Sequence, residues 1–301
     1  MRKNRVLLGM IFITSIVSLS VSAGQKKSEP KFNINKGLSF MSDLIHGSQK
    51  KCPPVKEKEE SGKQQQPPEI ELSLHFQGDL TQWTPQIKAA GMFPRGSAVY
   101  TSSGNLKDKN ISGIIHAASG SHSMVEGAHP TLSSIAQSVQ NSLKLAKLHK
   151  HKKVAIPLIG GGIFLNYIFE ATNLSPAQKQ KQLVQTLVRA VITENAKEEN
   201  PIPVVFLAYE PEVAQLFQVV IAEEFKGGQQ QKIESKRGSI TEFKDHGADV
   251  IVNAANMEVQ FGGGVSGVIA KAAGGGAIAN AIDQEAQELL QILHSRALKS
   301  H

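Results

Sequence analysis

At 301 residues the chain is long enough for one sizeable core or two small ones, and its lone cysteine, Cys52, excludes an internal disulfide or a cysteine-based metal site. The formal charge of +7 is local: residues 1–68 hold 12 of the 33 Lys and Arg and 5 of the 26 Asp and Glu, leaving 21 of each sign in residues 69–301. A neutral body offers no basic stripe to a phosphate backbone, so no nucleic-acid partner is expected.

The first segment reads as an export signal. Arg2, Lys3 and Arg5 precede an apolar run at 6–21, and Val21-Ser22-Ala23 supplies a small-residue cleavage site. Thr14, Ser15, Ser18 and Ser20 interrupt the run, which is short for a span. The expectation is a secreted or periplasmic protein with a signal peptide at 1–23 and no membrane attachment after cleavage. Residues 24–68, with KKSEPK, KEKEE and SGKQQQPP, are too poor in apolar side chains to build a core and read as a disordered tether.

From residue 69 the pattern alternates between strand and helix. Ile70, Leu72, Leu74 and Phe76 recur every second residue and predict a strand at 70–76. A short helix at 85–90 and a strand at 98–101 follow. Compact apolar runs at 113–117, 154–157 and 204–208 predict buried strands. Between the first two, Leu132, Ile135, Val139 and Leu143 mark a helix after Pro130. Ser175-Pro176 is an N-cap and first-turn pair opening a helix with Leu183, Leu187 and Val191 on one face. Another helix spans 211–225, and KGGQQQ at 226–231 reads as a flexible joint. Strands at 232–237 and 250–253, a short helix at 265–273 and a long terminal helix complete the chain. Strands separated by helices predict a mostly parallel sheet covered on both faces, a three-layer α/β/α domain over residues 69–301.

Two glycine runs leave predicted strands. Gly262, Gly264 and Gly267 satisfy G-x-G-x-x-G, but eight residues separate them from Asn253 and no further strand follows, which rejects a dinucleotide fold. Exposed N–H groups ahead of a helix instead form an anion nest. A second run, Gly160-Gly161-Gly162, follows the strand at 154–157. Either alone suits a tight turn; together, at the C-terminal ends of two strands, they suggest a diphosphate clamp.

The residues that carry these loops resemble the macrodomain family, whose members bind ADP-ribose. Gly238-Ser239-Ile240-Thr241, the stretch from Ala248 through Val252-Asn253-Ala254-Ala255-Asn256, Gly262-Gly263-Gly264-Val265 and Ala272-Ala273-Gly274 are similar to the family's N-terminal half. Its C-terminal half is similar to residues earlier in this chain: Gly96-Ser97-Ala98-Val99-Tyr100-Thr101, Ile114-Ile115-His116-Ala117, and Val154-Ala155-Ile156-Pro157 through Phe164. The order suggests a circular permutation, with halves at 96–225 and 232–301 joined through 226–231. A tandem pair with one truncated copy is the alternative, since Gly78-Asp79-Leu80-Thr81 echoes the family's opening turn, but no Asn-Ala-Ala-Asn follows it before Gly96.

The resemblance implies a macrodomain-like mixed sheet and a specific pocket. Asn253 would shape the turn, and Asn256, the one catalytic candidate, would bond the distal ribose. Gly262, Gly263, Gly264 and Val265 would hold one phosphate and Gly160, Gly161, Gly162 and Ile163 the other. Phe164 would pack on the distal ribose and Ile240 would support adenine. Two positions depart from the pattern: Ser239 stands where the family has an adenine-binding Asp, and Ser266 where its hydrolases have a carboxylate that prepares water. Neutral hydrogen bonds have roughly half the strength of charge-assisted ones. The implied partner is ADP-ribose or an ADP-ribosylated protein, bound by a monomer without cofactor or metal. An ADP-ribosyl hydrolase or O-acyl-ADP-ribose deacylase, a non-catalytic reader and a degenerate scaffold for protein contacts all stay open. Among other candidates, His116 reads as a buried strand histidine bonded to backbone, His122 and His129 as residues of a solvated loop, and His149 and His151 as a solvated helix end. Trp83 reads as packing.

Overall fold

The computed structural model describes residues 72–225 and 232–299. The signal peptide read at 1–23, the tether at 24–68 and the joint at 226–231 lie outside the described residues, as do residues 69–71. The strands, in chain order, are β1 (Phe76–Gln77), β2 (Ser97–Thr101), β3 (Gly113–Ala118), β4 (Val154–Pro157), β5 (Val204–Ala208), β6 (Ile233–Arg237) and β7 (Val250–Ala255). Helices α1 (Leu72–His75), α2 (Pro85–Ala89), α3 (Leu132–Leu148), α4 (Phe164–Ile168) and α5 (Pro176–Asn195) belong to the first part. They continue with α6 (Pro211–Glu224), α7 (Phe243–His246), α8 (Gly264–Ala272) and α9 (Gly276–Lys299).

The strands form one sheet in the order β1-β2-β3-β7-β4-β5-β6. From β3 to β6 all five are parallel, while β1 and β2 run antiparallel at one edge. Side chains alternate between faces along a strand, and this sheet sorts them cleanly. Ile115, Ala117, Ile156, Phe206, Val250 and Val252 enter one core with α3, α5 and α6. Their neighbours Ile114, Ala155, Val205, Leu207 and Ile251 enter another, with Ile269 of α8 and Ile282 of α9. The result is an α/β fold with helices on both faces of a mixed sheet.

Helix ends follow the residues that mark them. Ser175 accepts from Gln178 N and the Gln178 side chain accepts in return from Ser175 N, which satisfies two otherwise orphaned N–H groups. Thr131 and Ser134 do the same for α3.

The predicted strand at 70–76 is met only at its end among the described residues. Residues 72–75 are helical, and only Phe76 and Gln77 pair, with Val99 and Ala98. The alternation of Leu72, Leu74 and Phe76 lost to a side-chain contact: the Leu74 carbonyl accepts from His149 Nε2 at 2.6 Å instead of from a ladder partner. The echo at Gly78-Asp79-Leu80-Thr81 forms a 3-10 turn, Leu80–Gln82, capped by Asp79.

The last strand in the sequence occupies the middle of the sheet. β7 lies between β3 and β4, hydrogen-bonded to both. The Asn-Ala-Ala-Asn stretch, whose first three residues end the strand, is thus set at the centre of the sheet's C-terminal edge, among loops contributed by residues far earlier in the chain.

Candidate functional site

Because β3, β7, β4, β5 and β6 are parallel, the loops after them all emerge at one edge, where open α/β sheets place their ligands. Strands β4 and β7 are direct neighbours, with Val154 opposite Val250 and Ala155 opposite Ile251. The two glycine loops that follow them therefore leave the same edge side by side.

The first loop runs from Asn256 to Gly263, the N-cap of α8. Gly264 adopts φ +60°, a conformation that disfavours side chains, and a Cβ added at Gly262, Gly263 or Gly264 would meet no atom within 4 Å. Among the described residues, the N–H groups of Gly263, Gly264 and Val265 have no acceptor. Gly262 differs from its expected role: its N–H donates to Ser266 Oγ at 3.2 Å and is not free for a phosphate.

The second loop is built for a different reason. Gly160 has φ +84°, and a Cβ there would lie 2.5 Å from Ile135 Cδ1. Gly162, at φ +60°, faces open space. The N–H groups of Gly160, Gly161, Gly162 and Ile163 likewise have no acceptor among the described residues. Ile163 is 61% exposed at the start of α4, and the half-buried Phe164 opens that helix.

Asn253 and Ser266 are turned into the protein. Asn253 Nδ2 donates to Ser266 Oγ and to His116 Nδ1, both at 3.2 Å, while Asn253 Oδ1 is buried without a partner. Ser266 Oγ thereby receives two donors and is committed to holding the loop. His116 is not bonded to backbone as expected; its Nε2 meets Thr101 Oγ1 at 2.8 Å. Burial pushes the His116 imidazole down to about 3, so it is neutral.

Asn256 keeps half of its amide for the turn: Oδ1 accepts from Gln260 N at 3.1 Å. Three residues on, the buried Val259 sits at φ +51°. A β-branched residue in that region is strained, and such strain gathers at functional loops.

Ser239 and Ile240 directly follow β6 and Gly238. Ser239 Oγ shares a hydrogen bond with Thr241 Oγ1 at 3.0 Å, and Ser239 N donates to Asp245 Oδ2 at 2.8 Å. Ile240 is buried in the core that includes Leu207 and Ile251.

Three features escaped the sequence. Tyr209, at the end of β5, is 77% exposed beside the loop after β6; a bulky aromatic directly after a buried strand was the available signal. Asp283 on α9 accepts from Phe261 N at 3.0 Å, and burial raises its carboxyl above the usual range against that hydrogen bond. Nothing in the sequence distinguishes it. His122 is exposed, as read, and His129 half-buried, yet both meet Tyr167 of α4: His122 Nδ1 is hydrogen-bonded to Tyr167 Oη, and the His129 ring lies 4.5 Å from the Tyr167 ring. The same loop is tied to the first glycine loop, since Met257 N donates to Ser121 Oγ at 2.7 Å and Ser121 Oγ donates to Glu258 Oε2 at 2.6 Å.

At the opposite edge, His149 and His151 are also not a solvated helix end. Tyr100 stacks on His149 at 3.6 Å, and His151 Nδ1 is 3.3 Å from Asp249 Oδ2. Burial lowers both imidazoles. Trp83 is core, as read, with Nε1 donating to the Met92 carbonyl.

The family model of the Macro domain matches residues 78–174, which takes in β2, β3, β4 and the second glycine loop. Over that stretch the chain is similar to macrodomains. Among solved structures it is similar to an Oryza sativa APL macrodomain in complex with ADP-ribose, at 18% identity and a TM-score of 0.30, over 40% of this chain and 55% of that one. The chain thus spans about half the length of that macrodomain. No curated protein matches the chain.

Proposed function

We propose that the protein is an ADP-ribose reader that holds the diphosphate between its two glycine loops. The observation that carries this reading is the pair of acceptor-free N–H sets, Gly263 to Val265 and Gly160 to Ile163, at the ends of adjacent parallel strands. Hydrogen bonds to a charged group contribute about 1.5–3 kcal/mol each. Two such nests suit an anion with two phosphates better than a single inorganic ion. The macrodomain match over the second loop supports the same assignment. On either side, the amide nitrogen of Asn256 and the ring of Phe164 would meet the distal ribose, and the exposed face of Tyr209 would take adenine in place of the carboxylate that Ser239 lacks.

Binding is favoured over hydrolysis by Ser266. Its hydroxyl is occupied by Asn253 and Gly262, so it does not face a substrate water. The circular permutation belongs to this proposal: the central place of the last strand supports it, as does the packing of Leu72 and Ala297 against one hydrophobic cluster. Export through residues 1–23 belongs to it as well, and sequencing the N-terminus of protein recovered outside the cytoplasm tests it.

Calorimetry with ADP-ribose, ADP and AMP tests the main reading. One-to-one binding of ADP-ribose, with AMP weaker, is the expected result. No heat at millimolar ligand refutes it and leaves a scaffold for protein contacts. A mono-ADP-ribosylated protein incubated with the chain should keep its label; loss of label would make it a hydrolase.

A further inference from the structure

We infer that His116 is a positioning residue that sets the first glycine loop through a one-way chain of buried hydrogen bonds. The inference rests on the ADP-ribose reading for its purpose, and on the following geometry for its substance.

The chain has a fixed direction. Thr101 Oγ1 donates to the Ser102 carbonyl at 3.2 Å, so toward His116 it acts as an acceptor and Nε2–H is the donor, at 2.8 Å. That leaves Nδ1 without a proton, and it accepts from Asn253 Nδ2. The second proton of the same amide goes to Ser266 Oγ, which also accepts from Gly262 N. Four links thus join the end of β2 to the residue before the α8 N-cap, passing through β3 and β7. His116, Asn253, Thr101 and Ser266 are all buried, and the Phe261 ring lies 5.4 Å from the imidazole.

Each link matters because of where the loop must point. Gly263 and Gly264 have no side chains to anchor them, and a Cβ at either would touch nothing. Phe261 N is held by Asp283, and the tie from Gly262 to Ser266 fixes the residue immediately before the free N–H groups. A buried donor such as Asn253 Nδ2 that loses its acceptor swings to find another, and the tie to Ser266 goes with it. An imidazolium would break the chain as surely as a deletion, since it presents Nδ1–H to an N–H donor. Burial prevents this at physiological pH.

The test compares wild type, His116→Leu, His116→Asn and Ser266→Ala, each held well below its unfolding temperature. Leucine fills the space without an acceptor, whereas asparagine places an amide oxygen near the former Nδ1. ADP-ribose affinity should fall by roughly 10-fold or more in His116→Leu, as loss of a buried hydrogen-bond partner implies. His116→Asn should recover most of it. Ser266→Ala, which leaves the strand core intact, should fall as His116→Leu does. Hydrogen exchange of the Gly262 amide is read in parallel, without ligand: slow in wild type and His116→Asn, fast in His116→Leu and Ser266→Ala. Wild-type affinity in His116→Leu overturns the inference, as does failure of asparagine to rescue. Should wild type bind no ADP-ribose, the functional reading has failed, and the exchange experiment still decides: unchanged Gly262 protection in His116→Leu sinks the positioning role.

Discussion

Replacing single glycines with alanine separates the scaffold of the cradle from its surface. At Gly160 an alanine suffers twice. The φ of +84° costs a side chain about 1–2 kcal/mol. The new methyl would also lie 2.5 Å from Ile135 Cδ1 and 3.2 Å from both Ile168 Cδ1 and Leu183 Cδ1, and forcing a methyl into a packed core costs about 1–3 kcal/mol. The sum is about 2–5 kcal/mol, which for a domain of this size lowers Tm by roughly 5–15 °C. Gly263 is the contrast: its φ is −82°, and an added Cβ meets nothing. Alanine at an N-cap costs at most about 1 kcal/mol relative to glycine, so Tm moves by a few degrees at most. Its methyl would nevertheless take up open space in front of the loop, where the proposed diphosphate has to approach. We therefore expect Gly263→Ala to lose ADP-ribose affinity while staying nearly as stable as wild type, and Gly160→Ala to be markedly destabilised. Thermal unfolding monitored by circular dichroism, paired with calorimetry, reads both. A Gly160→Ala protein as stable as wild type, or a Gly263→Ala protein that binds as wild type, refutes the reasoning.

Further outcomes follow from the same geometry. His116 is held near 3 in the folded protein against about 6.5 unfolded, so the unfolded state binds more protons between these values. Its contribution is complete above pH 6.5 and is lost as pH falls toward 3; between pH 6.5 and 4.5 the loss is on the order of 2–3 kcal/mol. Urea unfolding of His116→Asn across that window should show a shallower decline than wild type, with His149, His151 and His246, also lowered by burial, supplying what remains. A decline equal to wild type counts against a buried neutral imidazole. Tyr209→Ala should weaken ADP-ribose by roughly 10-fold, the scale of one base-stacking contact, and leave ribose 5-phosphate unaffected in competition; equal losses for both would remove Tyr209 from the adenine side. A rearranged chain that starts at residue 232, continues through 299 and a short linker into residue 72, and ends at 225 should fold with the same circular dichroism spectrum. Failure to fold would speak against the permutation.

Much of this architecture is legible in the sequence because burial on both faces leaves a plain mark. Val154–Pro157 and Val204–Ala208 are apolar throughout and are buried throughout. The helices that cover them announce their starts through Ser175 and Pro176 or through Pro211. The glycine loops are legible for the same reason, since few other residues tolerate φ near +84° or +60°. What alternation promised failed at 72–75, where the carbonyl of Leu74 meets His149, 75 positions away, in place of a neighbouring strand. The same distance hides the site's internal support: His116 and Asn253 are 137 residues apart, and neither residue type betrays the other. Side chains that meet only after the sheet assembles, such as Tyr100 on His149 or His129 on Tyr167, carry no periodic signal.

The central claim is that loops from β4 and β7 form one cradle. Amide resonances of a uniformly 15N-labelled protein, followed while ADP-ribose is added, test it most directly. The account predicts that Gly161 and Gly162 shift together with Gly263 and Gly264, all saturating at one ligand concentration, while Gly262 moves less because its N–H is already bonded. Shifts confined to one loop, or two loops saturating at different concentrations, would contradict it.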